Sequence, residues 1–503
     1  MTSRAAGVGD ATTFAASREQ FDVLMGWLAG GDAAGLTHAE LEDGLATDGR
    51  ELLRLLLQDH LDLRAREEAR AQEVVDVAGV ARTTTEASHR QLATVFGQVT
   101  VGRLAYRRAG HANLHPADAV LNLPAEKHSH GLRRLAATEA CRGSFDDATD
   151  AIARATGTRL GKRQTEQLAR RAAVDFDTFY ATRQPVVCDP DDALVVSVDG
   201  KGIVMRPDAL RAATAKAAAD ASNKLSTRLS KGEKANRKRM ATIGAVYDAT
   251  PVVRTPGDVI ARADADDDGR AAGPTATVKW LTASVTDDAA TVIGRVFDEA
   301  DRRDPTHRRD WVALVDGNNH QIARITAEAA ARSVHVTVII DFVHVLEYLW
   351  SAAWSFFDEA DPAAEAWVAD RATRVLAGDA VQVAAGIRRR ATRHGLDPPQ
   401  RRNADRAADY LANKAPYLDY PTALSHGWPI ATGVIEGACR HLVKDRMDLT
   451  GARWSLDGAE AILKLRALRT NGDLDRYWNF HLDREHQRVH QSRYADNIIP
   501  HAA

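Results

Sequence analysis

Residues 192–203 read DALVVSVDGKGI, and the reading of this stretch decides how the rest of the chain is understood. Leu194, Val195, Val196 and Val198 make an apolar, largely β-branched run, the pattern of a strand buried on both faces. The strand is expected to end at Asp199, with Gly200, Lys201 and Gly202 following at once. A carboxylate where a buried strand runs out can hold a metal ion at a cleft floor. Taken alone, a V-D-G is better read as a solubilising turn. Only further acids in matching topological places change that.

Downstream the apolar runs recur. ATIGAVYD (241–248), VKWLTASV (278–285), WVALVDG (311–317) and VHVTVIID (334–341) read as four more strands, with helices over 287–303 and 319–332 between the later ones. Three strands, a helix, a strand, a helix and a strand is the order of a ribonuclease H-like sheet. From Phe342 the pattern turns helical and stays so to about residue 430. The expected fold class is therefore multidomain α/β plus α. A ribonuclease H-like catalytic core (190–341 and 431–480) is interrupted by an all-helical insertion (342–430). A disordered lead-in (1–16), an N-terminal helical and small β region (17–130) and a helix-turn-helix region (131–184) precede it, and a polar tail (481–503) follows.

Composition narrows the class. The 503 residues are 45% hydrophobic and 27% charged, as in a globular protein with about two to four domains. The net charge of −3 argues against a protein that merely coats DNA with basic charge. Cys141, Cys188 and Cys439 lie far apart with no C-x-x-C, which suits a reducing cytoplasm and excludes a cysteine-based zinc knuckle. No run approaches about 18 apolar residues, so no membrane partner is expected.

Two basic features point to nucleic acid. Helices over 131–142, 145–156 (Ser144 as N-cap) and 162–180, with a break at Gly157, follow helix-turn-helix logic. The third would offer Arg163, Gln164 and Gln167 to base edges, with Arg170 and Arg171 near phosphates. Mere packing of a helical trio explains the same pattern. Between the first two strands of the core, Lys224, Arg228, Lys231, Lys234, Arg237, Lys238 and Arg239 face Glu233 as the only acid, a density that suits phosphate backbone binding. Further upstream, Leu41, Leu45, Leu52, Leu56 and Leu63 recur at near-heptad spacing, either for packing within the subunit or for a homodimer.

The acids carry the chemistry. In a sheet of this order the first and fourth strands are neighbours, so Asp199 and Asp316 would face each other across one cleft. Two like charges there need a cation, and hard oxygen ligands without clustered Cys or His select Mg²⁺ or Mn²⁺. Two such ions, about 3.5–4 Å apart, would activate water or a 3′-hydroxyl for attack on a phosphodiester. Glu436, separated from Asp316 by 119 residues, is the third candidate ligand, with Arg440 and Lys444 at i+4 and i+8 to hold phosphates. Its plainer reading is a capping-box Glu, with Gly433 as N-cap.

SVDGKGI, ALVDGNNHQ, DFVHVLEYLW and ATGVIEGACRHLVKDRM together resemble the signature blocks of bacterial insertion-sequence transposases of the ISKra type, Asp-Asp-Glu enzymes distantly similar to the Mutator-like group. The similarity extends over residues 97–478. It implies Asp199, Asp316 and Glu436 as catalytic metal ligands, and Asp341 and His344 as an Asp-x-x-His pair with an auxiliary role near the DNA. It implies as well a cytoplasmic enzyme that binds the terminal inverted repeats of its element, cleaves the ends and joins 3′-hydroxyls to target DNA. A ribonuclease H-like nuclease or resolvase without strand transfer, or a non-catalytic DNA-binding regulator, are the competing expectations.

Overall fold

In the computed structural model, residues 13–184, 188–220, 237–260, 272–449 and 451–500 are described. They divide into two compact units, one of Met1–Ala181 with Asp473–Ala503, the other Thr182–Gly472. The chain is mixed α/β, and among the described residues no helix is long and apolar enough to cross a membrane.

The first unit opens with helices Ala15–Ala29 and His38–Glu67, the second begun by a capping box between Thr37 and Glu40. Two short strands, β1 (Val74–Val75) and β2 (Ala81–Arg82), precede a hairpin of β3 (Thr84–Thr94) and β4 (Gly97–Arg107). Gly97, at φ 126°, begins β4 directly after the turn, but Gly102 is no break in the strand. It pairs with His89, and a Cβ there would press on Ala65 of the long helix at 3.1 Å, so glycine lets strand and helix approach closely. The helical trio forms as His130–Arg142, Phe145–Thr156 and Lys162–Ala172, around Leu132, Ala136, Ile152, Leu160 and Leu168. Its third helix is shorter than the sequence suggests. The chain turns after Ala172 and restarts as Phe176–Thr182, because Asp175 is drawn inward to His481 and Arg488.

Those partners belong to the expected polar tail, which instead is ordered. Helix Leu474–Val489 buries Tyr477, Trp478, His481 and Glu485 in the first unit. Its inward face mixes aromatic with charged side chains, and from His481 on it is polar, which is why hydrophobic periodicity misses it. At its centre His481 lies between Asp175 (2.7 Å) and Glu485 (3.1 Å). Arg133 grips Glu485 through two bonds of 2.6 and 2.7 Å, and Arg488 grips Asp175 through bonds of 2.6 and 3.0 Å.

The second unit holds a five-stranded sheet of β5 (Ala193–Val204), β6 (Lys238–Ala249), β7 (Ala276–Ser284), β8 (Trp311–Val315) and β9 (Val336–Ile340). Their spatial order is β7-β6-β5-β8-β9; the first three run antiparallel, and β8 and β9 run parallel to β5. The strand Asp199 was expected to end continues five residues further. Gly200 to Val204 stay paired with β6, although the parallel neighbour β8 stops at Val315. Asp199 thus sits where β5 loses one neighbour, not where it loses both.

Helix Ala289–Arg303 covers one face of the sheet. Asp288 caps it through the Thr291 N–H, and Val292, Ile293, Val296 and Phe297 are buried against the strands. Burying each such side chain contributes about 1.5–3 kcal/mol. The approach is close enough that a Cβ at Gly244 of β6 would run into the Val296 side chain. Gly244→Ala is expected to cost about 1–3 kcal/mol through overpacking. A denaturant titration checks this, and an unchanged midpoint would mean the helix stands further off the sheet. The insertion is helical as expected, with Phe342–Ala353, Pro362–Leu376, Ala380–Arg393, Pro398–Lys414 and Tyr420–Ser425. Helices Gly433–Ala438 and Leu456–Thr470 then return to the sheet.

Candidate active site

Ser197 of β5 pairs with Leu314 of β8, and Val315 of β8 with Ile340 of β9. Continued along the strands, that register sets Asp199 level with Asp316, and Asp316 level with Asp341. The Asp341 N–H donates to the Val315 carbonyl at 2.8 Å, so the ladder does continue past β9. One row of three aspartates therefore crosses three neighbouring parallel strands, at the level where β8 and β9 end and β5 runs on.

Each acid of the row is held differently. Asp199 is half-buried; its Oδ1 accepts the Gly200 N–H at 2.6 Å and its Oδ2 the Cys439 thiol at 3.1 Å. Burial, and then the charge of Asp199, push the Cys439 thiol far up, so it stays a neutral donor. Asp316 uses Oδ1 on the Asn318 N–H at 2.8 Å. Asp341 is fully buried and caps helix Phe342–Ala353 through Val343. It accepts from four donors in all: the N–H groups of Val343 (3.0 Å) and Thr432 (3.3 Å), the Thr432 hydroxyl (2.5 Å) and His344 (3.2 Å). Burial works against its charge, but the bonds from His344, Thr432 and Val343 outweigh it and hold its pKa low.

Thr432 explains where Glu436 sits. It is the N-cap position of Gly433–Ala438, one residue earlier than expected, so Glu436 falls outside the capping-box position and makes no cap bond. Its exposed carboxylate takes no side-chain hydrogen bond or ion pair from the described residues. Beyond it the helix passes into a π-helical stretch, Cys439–Lys444, a departure found often at functional sites. The bulge turns Cys439 onto Asp199 and breaks the i+8 alignment expected of Lys444. Arg440 is exposed and 3.6 Å from Asp445.

Ligand atoms of Asp341, His344 and Glu436 lie within 4.8 Å of one another. Among the described residues no group of three that close includes Asp199 or Asp316. Both remain electrostatically part of the site: the charge of Asp316 acts on His344, and those of Asp199 and Glu436 on Cys439. The hydrogen bond to Asp341 raises the His344 pKa to about 9 against partial burial, and the charges of Asp341, Glu347 and Asp316 add to the rise. A protonated His344 is a poor metal ligand, and Asp341 already has its donors. Open oxygen valences are left on Asp316 and Glu436, and on Asp199 where only a thiol is to be displaced.

The opposite end of the sheet is the control. Asp248, level with Leu194, is buried and paired with Arg309 at 2.7 Å and Arg303 at 3.3 Å. Asp199, Asp316 and Glu436 have no cationic partner within 4 Å among the described residues. Their carboxylate oxygens are ligands of the kind a hard divalent cation takes.

The DNA-facing residues expected from sequence fare unevenly. Arg163, Gln164, Gln167, Arg170 and Arg171 are exposed on Lys162–Ala172. Gln164, however, accepts the Gly161 N–H at 3.0 Å, and Arg171 is paired with Glu126. Lys224, Arg228, Lys231 and Lys234 lie outside the described residues. Arg237 precedes β6, Lys238 is exposed, and Arg239 donates to the carbonyls of Val285 (2.9 Å) and Ala209 (3.4 Å). Sequence reasoning missed Cys439 and Thr432. A Thr before Gly-Val-Ile-Glu is a legible cap signal, but nothing local marks the cysteine. No family model matches the chain, and no curated protein matches it.

Proposed function

We propose that the chain is a DNA transposase of the Asp-Asp-Glu type, working on the ends of its own insertion sequence and on target DNA. The observation that carries this reading is the level row of Asp199, Asp316 and Asp341 across three parallel strands, with no cation among the described residues to neutralise Asp199 and Asp316. Strand order, and a long helical insertion before Glu436, support a ribonuclease H-like core. Asp199, Asp316 and Glu436 would hold Mg²⁺ or Mn²⁺, two ions in the full arrangement. Bound there, the cation supplies positive charge where a phosphodiester develops negative charge. The chain's own part is positional. Asp341 orients His344 through Nδ1, which leaves Nε2 to reach a phosphate or the attacking hydroxyl, and Thr432 ties the Glu436 helix to the end of β9.

A second copy of the chain is part of this reading, since two element ends must be brought together. Leu45, Leu53 and Leu56 lie on one stripe of His38–Glu67 and are 41%, 46% and 39% exposed. The test is incubation of the full chain with Mg²⁺ and DNA carrying the element's ends beside unrelated DNA. Cleavage at the ends with joined products is the expected result. Cleavage without joining would make the protein a nuclease or resolvase, and binding without cleavage a regulator.

A further inference from the structure

Asp316 stands one residue beyond β8, where strand pairing no longer holds its carbonyl. The next residue, Gly317, has φ 89° and no side chain to restrain the turn. What holds that carbonyl comes from the insertion, 94 residues later: the Tyr410 hydroxyl donates to it at 3.2 Å. The phenol lies so close over the turn that a Cβ at Gly317 would meet its oxygen at 2.8 Å. Its ring is stacked on Tyr348, with centroids 3.8 Å apart and planes 13° from parallel. Tyr348 is one helical turn beyond His344, and the Arg406 guanidinium lies 5.7 Å from the Tyr348 ring centroid. One turn beyond Tyr410, Lys414 bonds the side chain of Asn319 just after the same loop. At the neighbouring strand end the buried Tyr420 hydroxyl donates to the Ile340 carbonyl at 2.9 Å.

The direction of the Asp316 carbonyl fixes the backbone on which its carboxylate hangs. Gly317 leaves that direction free; Tyr410 does not. We infer that Tyr410 is a positioning residue for Asp316, so that the helical insertion is a working part of the acid site and not only a spacer before Glu436. This rests on the proposed function, in which Asp316 is a metal ligand.

Tyr410→Phe removes the hydroxyl and keeps the stacked ring. In the full-length chain, Mn²⁺ binding followed by electron paramagnetic resonance is expected to weaken about tenfold, the lower end of what losing a ligand's supporting hydrogen bond costs. The kcat for cleavage at low Mn²⁺ should fall with it and recover at high Mn²⁺, while KM for DNA and the Tm stay put. Tyr348→Phe should match the native chain, because its hydroxyl plays no part. If Tyr410→Phe binds Mn²⁺ as the native chain does, the inference is overturned and the proposed function stands. The same holds if it merely melts earlier. A native chain that neither binds Mn²⁺ nor cleaves overturns both.

Discussion

Replacing Asp316 with Asn is expected to slow DNA cleavage about 10³-fold, roughly 4 kcal/mol of transition-state stabilisation, while the Tm holds or rises slightly. The substitution keeps the Oδ1 acceptor that takes the Asn318 N–H. It deletes one negative charge from a row in which, among the described residues, only Asp341 has a cationic partner. Folding therefore loses nothing and sheds some like-charge repulsion. Asp199→Asn and Glu436→Gln should behave alike, with DNA affinity preserved. Asp248→Asn should do the reverse. Arg303 and Arg309 are both nearly fully buried against that carboxylate, so losing its charge destabilises the sheet by several kcal/mol. A thermal melt and a cleavage assay on these four variants separate an acid kept for chemistry from one kept for packing. Native-rate cleavage by Asp316→Asn would end the metal-ligand assignment.

Much of this arrangement was legible in the chain, for a physical reason. A strand buried on both faces must be a short β-branched run, and five such runs stand out between Asp192 and Asp341. Because β5, β8 and β9 are parallel and in register, an acid just after each run lands at one level. Sequence reasoning paired Asp199 with Asp316 on topology alone and treated Asp341 only through a resemblance. It was blind where burial is polar. The supports of the acids, Cys439, Thr432, Tyr410 and Tyr420, come from distant segments and follow no periodicity. The restart at Phe176 and the ordered tail depend on one another through Asp175 and His481, and neither end alone gives a signal. Spacing alone cannot tell a turn glycine such as Gly97 from one such as Gly102 that admits a helix.

That polar core sets the second large effect. Glu485→Ala leaves the Arg133 guanidinium, 1% exposed, without its bidentate partner, and should cost about 3–5 kcal/mol. For a unit of this size that is a Tm loss of roughly 6–20 °C. The exposed pair Arg134–Asp475, 2.5 Å apart, supplies the contrast: Asp475→Ala should cost less than about 1 kcal/mol. Acid and base both weaken the network, each through different groups. Burial opposes the charges of Asp175 and Glu485, but His481 and the two arginines outweigh it and hold both carboxyl pKa values low. Their contribution is present above the ordinary carboxylate range and is lost as pH falls through the depressed values. Burial also opposes protonation of His481, yet carboxylates on both ring nitrogens outweigh it and the nearby Arg133, and raise its pKa. That contribution is complete below about pH 6.5 and fades as pH climbs through the raised value. The stability gap between the native chain and Glu485→Gln should thus be widest at about pH 5–6 and narrow on both sides. Chemical denaturation across that range measures it, and a gap independent of pH would mean the two carboxylates and the histidine do not act as one charged cluster.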